Sequence, residues 1–403
     1  MKILIVNKFL YPNGGSETYI FEIGKQLERL GHEVQYFGME HKGRIVGNKV
    51  NSYTSDMDFH GNKAAKLLYP FKIIYSREAR RQIRKVLEDM KPDVVHLNNI
   101  NFQITPSIID EIRAFEKESG HTVKLVATAH DYQWICPNHM MRIPSSGENC
   151  DKCLSGKYMN CAKNRCIHNS RVKSLLGTIE AYLYKSRKTY AKIDKIICPS
   201  VFLYNKFSRN EAFREEDLVV KHNFFIKGED YDEIMKLPKK DYVLYFGRYS
   251  EEKGVGTLLT AVKDLPEIPF VFAGSGPLEK YLDGENIENR GFLSGTELHK
   301  LIRQARFSIY PSEWYENCPF SVMESISYGT PVIGASIGGI PELIGDGRSG
   351  LEFTSGDADE LTDVIFKLWN DTEKQDSMEK ECKNTGFDTV ESYTDWLVER
   401  IYK

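Results

Sequence analysis

Membrane-spanning stretches are missing from this chain: no unbroken apolar run among its 403 residues approaches the roughly 18 that a spanning helix needs. A strong charge of either sign is missing too, and a net charge of −3 argues against general nucleic-acid binding. There is no convincing internal repeat and no low-complexity segment. The opening Met1-Lys2-Ile3-Leu4-Ile5-Val6-Asn7 is too short for the core of a signal peptide, so a cytoplasmic protein is expected. Cysteine is sparse, eight in all, yet five fall between Cys136 and Cys166. In a reducing compartment that clustering favours metal binding or packing over disulfides.

What is present is a globular composition, 41% hydrophobic and 28% charged, in a chain long enough for two domains. Ile3 to Val6 reads as a buried strand, followed by Gly14-Gly15-Ser16-Glu17 and an amphipathic run from Tyr19 to Leu27. This is a strand, glycine loop, helix unit. Further strands are predicted at Val34 to Gly38, Val94 to Leu97, Lys124 to Ala129, Ile196 to Cys198 and Val219 to His222. A charged stretch from Lys227 to Lys240 reads as a linker. A second series follows at Val243 to Phe246, Phe270 to Ala273, Phe307 to Tyr310 and Pro331 to Gly334. Alternating strands and helices predict parallel sheets covered on both faces, hence two doubly wound α/β domains with a cleft outside the carboxyl ends of their strands.

Glu316 and Glu324 carry the most chemistry. Pro319 suits the first turn of a helix, which puts Glu316 in the loop ahead and Glu324 about a turn inside. The amides of Cys318, Phe320, Ser321 and Val322 would then form an anion nest. Carboxylates accept hydrogen bonds, so beside a phosphate they suit the hydroxyls of a ribose and a sugar ring. A nucleotide sugar has all three parts. The plainer reading is a surface helix with two solvated acids.

The run Tyr245-Phe246-Gly247-Arg248-Tyr249-Ser250-Glu251-Glu252-Lys253-Gly254 resembles the donor loop of retaining family 4 glycosyltransferases, bacterial polysaccharide-type enzymes of GT-B fold. Glu316 to Glu324, Ala273 to Leu278, Tyr328 to Ile333, Gly338 to Ile344, Gly14 to Glu17 and His130-Asp131 extend the resemblance along nearly the whole chain. It implies an acceptor domain over residues 1–226 plus about 385–403, a donor domain over 227–384, and a last helix from Val390 to Tyr402 crossing back. It also implies that Arg248 and Lys253 hold the donor diphosphate, Glu324 binds the ribose, and Glu316 faces the transferred sugar. Gly14 and Gly15 admit the donor closely, and His130 reaches its sugar from the opposite domain while Asp131 orients the turn. Asn317, Cys318, Pro319, Phe320 and Ser321 line the donor site, and the base lies near Arg290-Gly291-Phe292-Leu293. The implied reaction moves a hexose-type sugar from a UDP- or GDP-linked donor to a glycan or lipid-linked acceptor with retention, by front-face attack and without a catalytic metal. The Asp-x-Asp trigrams at Asp56, Asp230 and Asp357 are read as chance. A nucleotide-sugar epimerase of the same architecture, or a non-catalytic sugar-nucleotide binding protein, is the alternative.

After His130 the chain departs from the simplest relatives in an insertion over residues 136–166. There Cys150, Cys153, Cys161 and Cys166 have the spacing of a structural zinc site, with an iron–sulfur cluster or packing thiols as other readings. Two basic stretches, Lys72, Arg77, Arg80, Arg81, Arg84 and Lys85, and Arg171 through Lys173, Lys185, Arg187 and Lys188 to Lys192, are interleaved with apolar residues. They suggest peripheral docking on an anionic inner membrane face, or else ordinary helices with a solvated basic side.

Overall fold

Strands form where short apolar runs can be covered on both faces. Ile3, Leu4, Ile5 and Val6 are all buried, with no alternation between inside and outside, as a central parallel strand requires. The computed structural model describes residues 1–55, 74–345 and 347–403. It divides into two units, Met1–His222 with Val390–Lys403, and Asn223–Thr389.

The first unit holds strands β1 (Lys2–Val6), β2 (Glu33–Phe37), β3 (Val94–Leu97), β4 (Lys124–Thr128), β5 (Lys195–Cys198) and β6 (Leu218–Val220). They pair in the order β2-β1-β3-β4-β5-β6, all parallel. The order reverses between β1 and β3, so the loops after these strands open a crevice at the carboxyl edge. The terminal segment Val390–Lys403 is keyed to this sheet by buried polar groups. Tyr402 bonds His96 Nδ1 at 2.7 Å, His96 Nε2 bonds Thr128 at 2.8 Å, and Tyr19 bonds both Thr128 and Tyr393 at 3.1 Å. Burial lowers the His96 pKa to about 3, which keeps that ring neutral.

The second unit holds β7 (Val243–Arg248), β8 (Phe270–Ser275), β9 (Ile287–Asn289), β10 (Phe307–Tyr310), β11 (Val332–Ala335) and β12 (Gly350–Phe353). Their order is β12-β11-β10-β7-β8-β9, again parallel, with the reversal between β7 and β10. The sequence reading missed β9 and β12, the two edge strands. The stretch from Lys227 to Lys240 is not a free tether: Ile234 is buried, Tyr231 donates to the Ser327 carbonyl and Lys239 to that of Gly329. Just ahead of it, the amide of Phe225 donates to the Asp388 carbonyl.

Candidate functional site

In the second unit the reversal point places the loop after β7 beside the loop after β10. Gly254 makes the approach feasible. Its φ is +69°, and a Cβ there would lie 1.7 Å from the Pro311 carbonyl oxygen. The turn Glu251–Lys253 is thereby pressed against the end of β10, and Lys253 Nζ comes 2.6 Å from Glu316 Oε1 and 3.1 Å from the Tyr310 hydroxyl. Ser312 Oγ, at 3.0 Å, and Trp314 Nε1, at 2.5 Å, donate to the same Glu316 oxygen. From behind, the Gly339 amide donates to the Glu316 carbonyl, and Gly338, at φ +64°, would place a Cβ 2.1 Å from that oxygen. This is what the Gly338-Gly339 pair does locally.

Glu316 is therefore not the exposed loop carboxylate its sequence context suggests; it is buried and ion-paired. Burial works against the Lys253 ammonium, but Glu316 and Tyr310 outweigh it and hold the amine above its ordinary pKa. Arg248, at the end of β7, is exposed and has no ion-pair partner among the described residues. Lys253 and Glu316 thus stand together, while the Arg248 guanidinium is ion-paired with neither.

Pro319 caps the helix Phe320–Ser327, so Glu324 sits in its second turn. The Phe320, Ser321 and Val322 amides precede the first intrahelical bond. Cys318 is buried; its carbonyl accepts from Asn223 Nδ2 at 2.9 Å, which fixes the entry to the helix. The Glu324 carboxylate makes no hydrogen bond or ion pair with a described residue, and burial raises its pKa to about 7. Phe292 is 75% exposed beside Gly291, whose carbonyl accepts the Gly274 amide and holds that loop at the end of β8. Asp357 caps the helix Ala358–Trp369 by accepting from the Glu360 amide, and Asp230 precedes the short helix Tyr231–Ile234. Asp56 lies outside the described residues.

The first unit gathers its candidates at the ends of β1, β3 and β4. Gly14 precedes the helix Gly15–Arg29 in extended conformation, φ −177°, so the backbone itself does not demand glycine there. Glu17, in the first turn, is buried and accepts from Asn7 Nδ2 at 2.8 Å and Ser16 Oγ at 2.9 Å. Asn99 ties this loop down, its amide donating to Asn7 Oδ1 and its side chain to Ser16 Oγ. His130 Nε2 lies 2.8 Å from Asn98 Oδ1, and the Tyr19 ring packs edge-on against the imidazole with centroids 4.8 Å apart. Burial lowers the His130 pKa to about 3. Because Asn98 Nδ2 is turned to the Val6 and His96 carbonyls, its Oδ1 accepts, which assigns the proton to Nε2 and leaves Nδ1 with its lone pair. Asp131 accepts from the Gln133 amide at 2.7 Å, and burial raises its pKa to about 7.

Ser312, Trp314 and Asn98 were given no role from the sequence, and Glu17 was named only as part of the glycine loop. Asn98 carried one available signal, a polar pair directly after a buried strand.

The cysteines gather without forming a cage. Cys153, Cys161 and Cys166 pack with Tyr158 in a small core, and Cys136 donates to Asn138 Oδ1. Burial raises Cys136 and Cys153 to about 12, so both thiols stay protonated. Among the described residues no set of three or more His, Cys, Asp or Glu is arranged to hold a metal ion. Of the four cysteines expected to hold zinc, Cys150, Cys153, Cys161 and Cys166, the last two hydrogen-bond each other in this arrangement.

In the first basic stretch Arg77, Arg81 and Lys85 are exposed, while two other members are neutralised. Arg80 and Arg84 both pair with Glu111, at 2.7 and 2.5 Å, and Arg84 reaches Glu118 at 2.8 Å. Arg187 and Lys192 converge on Asp110. Lys72 lies outside the described residues.

Against known proteins, residues 13–225 match the family described as Glycosyltransferase Family 4, and residues 227–385 match Glycosyl transferases group 1. The chain is 25% identical to an uncharacterized 41.2 kDa protein in the cps region of Klebsiella pneumoniae, covering 89% of this chain and 96% of that protein. It is 32% identical to the sulfoquinovosyl transferase of Arabidopsis thaliana over 47% of this chain, but spans only 35% of that protein's length. Among solved structures, Anabaena HepE in complex with UDP superposes with a TM-score of 0.66 at 16% identity, covering 99% of each chain. WaaG, a glycosyltransferase involved in lipopolysaccharide biosynthesis, gives 0.64 at 13% identity over 98% of this chain and 100% of its own. Both likenesses are of fold, GT-B. By its sequence, the chain belongs to glycosyltransferase family 4.

Proposed function

We propose that this glycosyltransferase moves a hexose-type sugar from a nucleotide-diphosphate donor to a glycan or lipid-linked acceptor, with retention of configuration, in the building of a cell-surface polysaccharide. The observation that carries the reading is the set at the second unit's reversal point. A fixed ammonium on Lys253, an unpaired guanidinium on Arg248, helix-start amides and an unpartnered carboxylate on Glu324 supply complementary partners for a diphosphate and a ribose. Phe292 offers an exposed ring for the base. The UDP in the HepE structure and the cps-region relative support UDP as the nucleotide and polysaccharide as the product.

Glu316 Oε1 already accepts three donors, which makes it a poor nucleophile and favours front-face attack over a covalent intermediate. The acceptor hydroxyl forms its bond to the anomeric carbon as the bond to the diphosphate oxygen breaks. Its proton passes to that departing oxygen, whose charge Arg248 and Lys253 stabilise.

The test is a panel of UDP- and GDP-sugars screened by thermal shift, followed by product analysis with and without acceptors. Transfer with the donor's anomeric configuration kept is the expected result. A changed sugar with no acceptor present would establish the epimerase instead, and binding without turnover across a wide acceptor panel would establish a binding protein.

A further inference from the structure

The helix Arg171–Ser186 is built inside out. It buries Ser174, Gly177, Thr178 and Tyr184. Facing solvent are Val172 at 69% exposure, Leu175 and Ile179 at 46% each, and Tyr182 at 39%. Spacings of three, four and three residues place these four along one stripe, about 15 Å long at 1.5 Å per residue. The small residues are used for close approach, since a Cβ on Gly177 would lie 2.5 Å from Ile167 Cδ1. Met159, on the neighbouring helix Met159–Lys163, adds another apolar side chain at 46% exposure. An ordinary amphipathic helix packs the other way round, so the outer stripe needs a partner.

Charge says which partner. From Lys152 to Ile179 the sequence contains no Asp or Glu and six basic residues: Lys152, Lys157, Lys163, Arg165, Arg171 and Lys173. All six are exposed, and none has an ion-pair partner among the described residues, in contrast to Arg80, Arg84, Arg187 and Lys192. A second copy docked through the same surface would set like charges against one another. An anionic lipid surface accepts both features, the aliphatic stripe at the acyl boundary and the ammonium and guanidinium groups among the phosphates. No helix among the described residues is long and apolar enough to cross a membrane.

We infer that the outer face of the helix Arg171–Ser186, with the basic residues around it, docks this protein reversibly on an anionic lipid bilayer. This stands apart from the donor chemistry, because it uses none of the residues assigned to the nucleotide sugar.

The test is sedimentation of the whole chain with phosphatidylglycerol vesicles and with phosphatidylcholine vesicles, at low and high salt. Binding to the first, little to the second, and release by salt are expected. Leu175→Glu with Ile179→Glu should abolish binding, and Lys163→Glu with Lys173→Glu should lower it by about fivefold or more per residue changed. In each variant the melting temperature and the thermal shift with UDP should match wild type, since these side chains are exposed. A wild type that ignores phosphatidylglycerol at low salt, or a stripe variant that binds as well as wild type, would overturn the inference. So would self-association that the stripe substitutions abolish with no response to vesicles, which would assign the surface to a second copy.

Discussion

Lys253 Nζ and Glu316 Oε1, 63 residues apart in the chain, stand 2.6 Å from each other, joining the loops that leave β7 and β10. Each holds the other in place, and each would leave an uncompensated charge if its partner were removed. Glu316→Ala should therefore do two things. Transfer should be abolished, and urea unfolding should report a loss of about 1–3 kcal/mol, less than for a fully buried pair because the Lys253 side chain is 23% exposed. Glu316→Gln, which keeps the size and the acceptor oxygen, should restore part of the stability but not the activity. Wild-type unfolding in Glu316→Ala would show the pair to be energetically idle.

Glu324 predicts a pH effect. Its folded pKa is about 7 against 4.5 in an open chain, because burial penalises the charge. The stability that goes with the protonated form is complete below pH 4.5 and is lost as pH rises through about 7. Glu324→Gln, which mimics the protonated form, should be more stable than wild type above pH 7, by about 1–2 kcal/mol allowing for partial exposure, with the gap closing toward pH 4.5. A ribose donating hydrogen bonds to Glu324 would favour the ionised form. UDP binding near neutral pH should then release protons, seen as a buffer-dependent calorimetric enthalpy. A gap that widens on acidification would contradict the assignment.

His130 should not titrate in the working range, since burial lowers its pKa to about 3. His130→Ala should lower turnover by about a hundredfold while leaving UDP affinity intact. The ring's NMR signals should stay constant from pH 5 to 8, and a titration midpoint between those values would refute the neutral assignment.

The buried thiols give a fourth prediction. Cys136 and Cys153, raised to about 12, should resist a thiol reagent in the folded protein, while the partly exposed Cys150 reacts first. Added zinc should leave the unfolding curve unchanged. A stabilisation saturating at one zinc per chain would show that the five thiols rearrange into a site.

Central strands were legible because parallel strands buried on both faces are written as unbroken apolar runs, as in Ile3 to Val6 or Val94 to Leu97. Edge strands were not: β9 is Ile287-Glu288-Asn289, largely exposed and without such a run. Within the site, spacing around Pro319 marked Glu316 and Glu324, and the resemblance to family 4 donor loops marked Arg248 and Lys253. The Lys253–Glu316 pair could not be read, because it depends on Gly254 letting two loops meet across 63 residues of chain. Asn98 was hidden for the same reason, since its value lies in a bond to His130, 32 residues away. Basic residues in sequence likewise did not reveal which were neutralised; Glu111, on another helix, decided that for Arg80 and Arg84.

The central claim is that Arg248 and Lys253 bind the diphosphate of a nucleotide-sugar donor. Calorimetric titration of UDP and GDP into wild type, Arg248→Ala and Lys253→Ala tests it most directly. One nucleotide should bind wild type, and each substitution should weaken it by about 1.5–3 kcal/mol, the range for a hydrogen bond to a charged group. Weakening should be smaller for the nucleoside than for the diphosphate, because the lost contacts are to phosphate. Equal affinity of UDP or GDP for wild type and both variants, or no binding of either to wild type, would contradict the account.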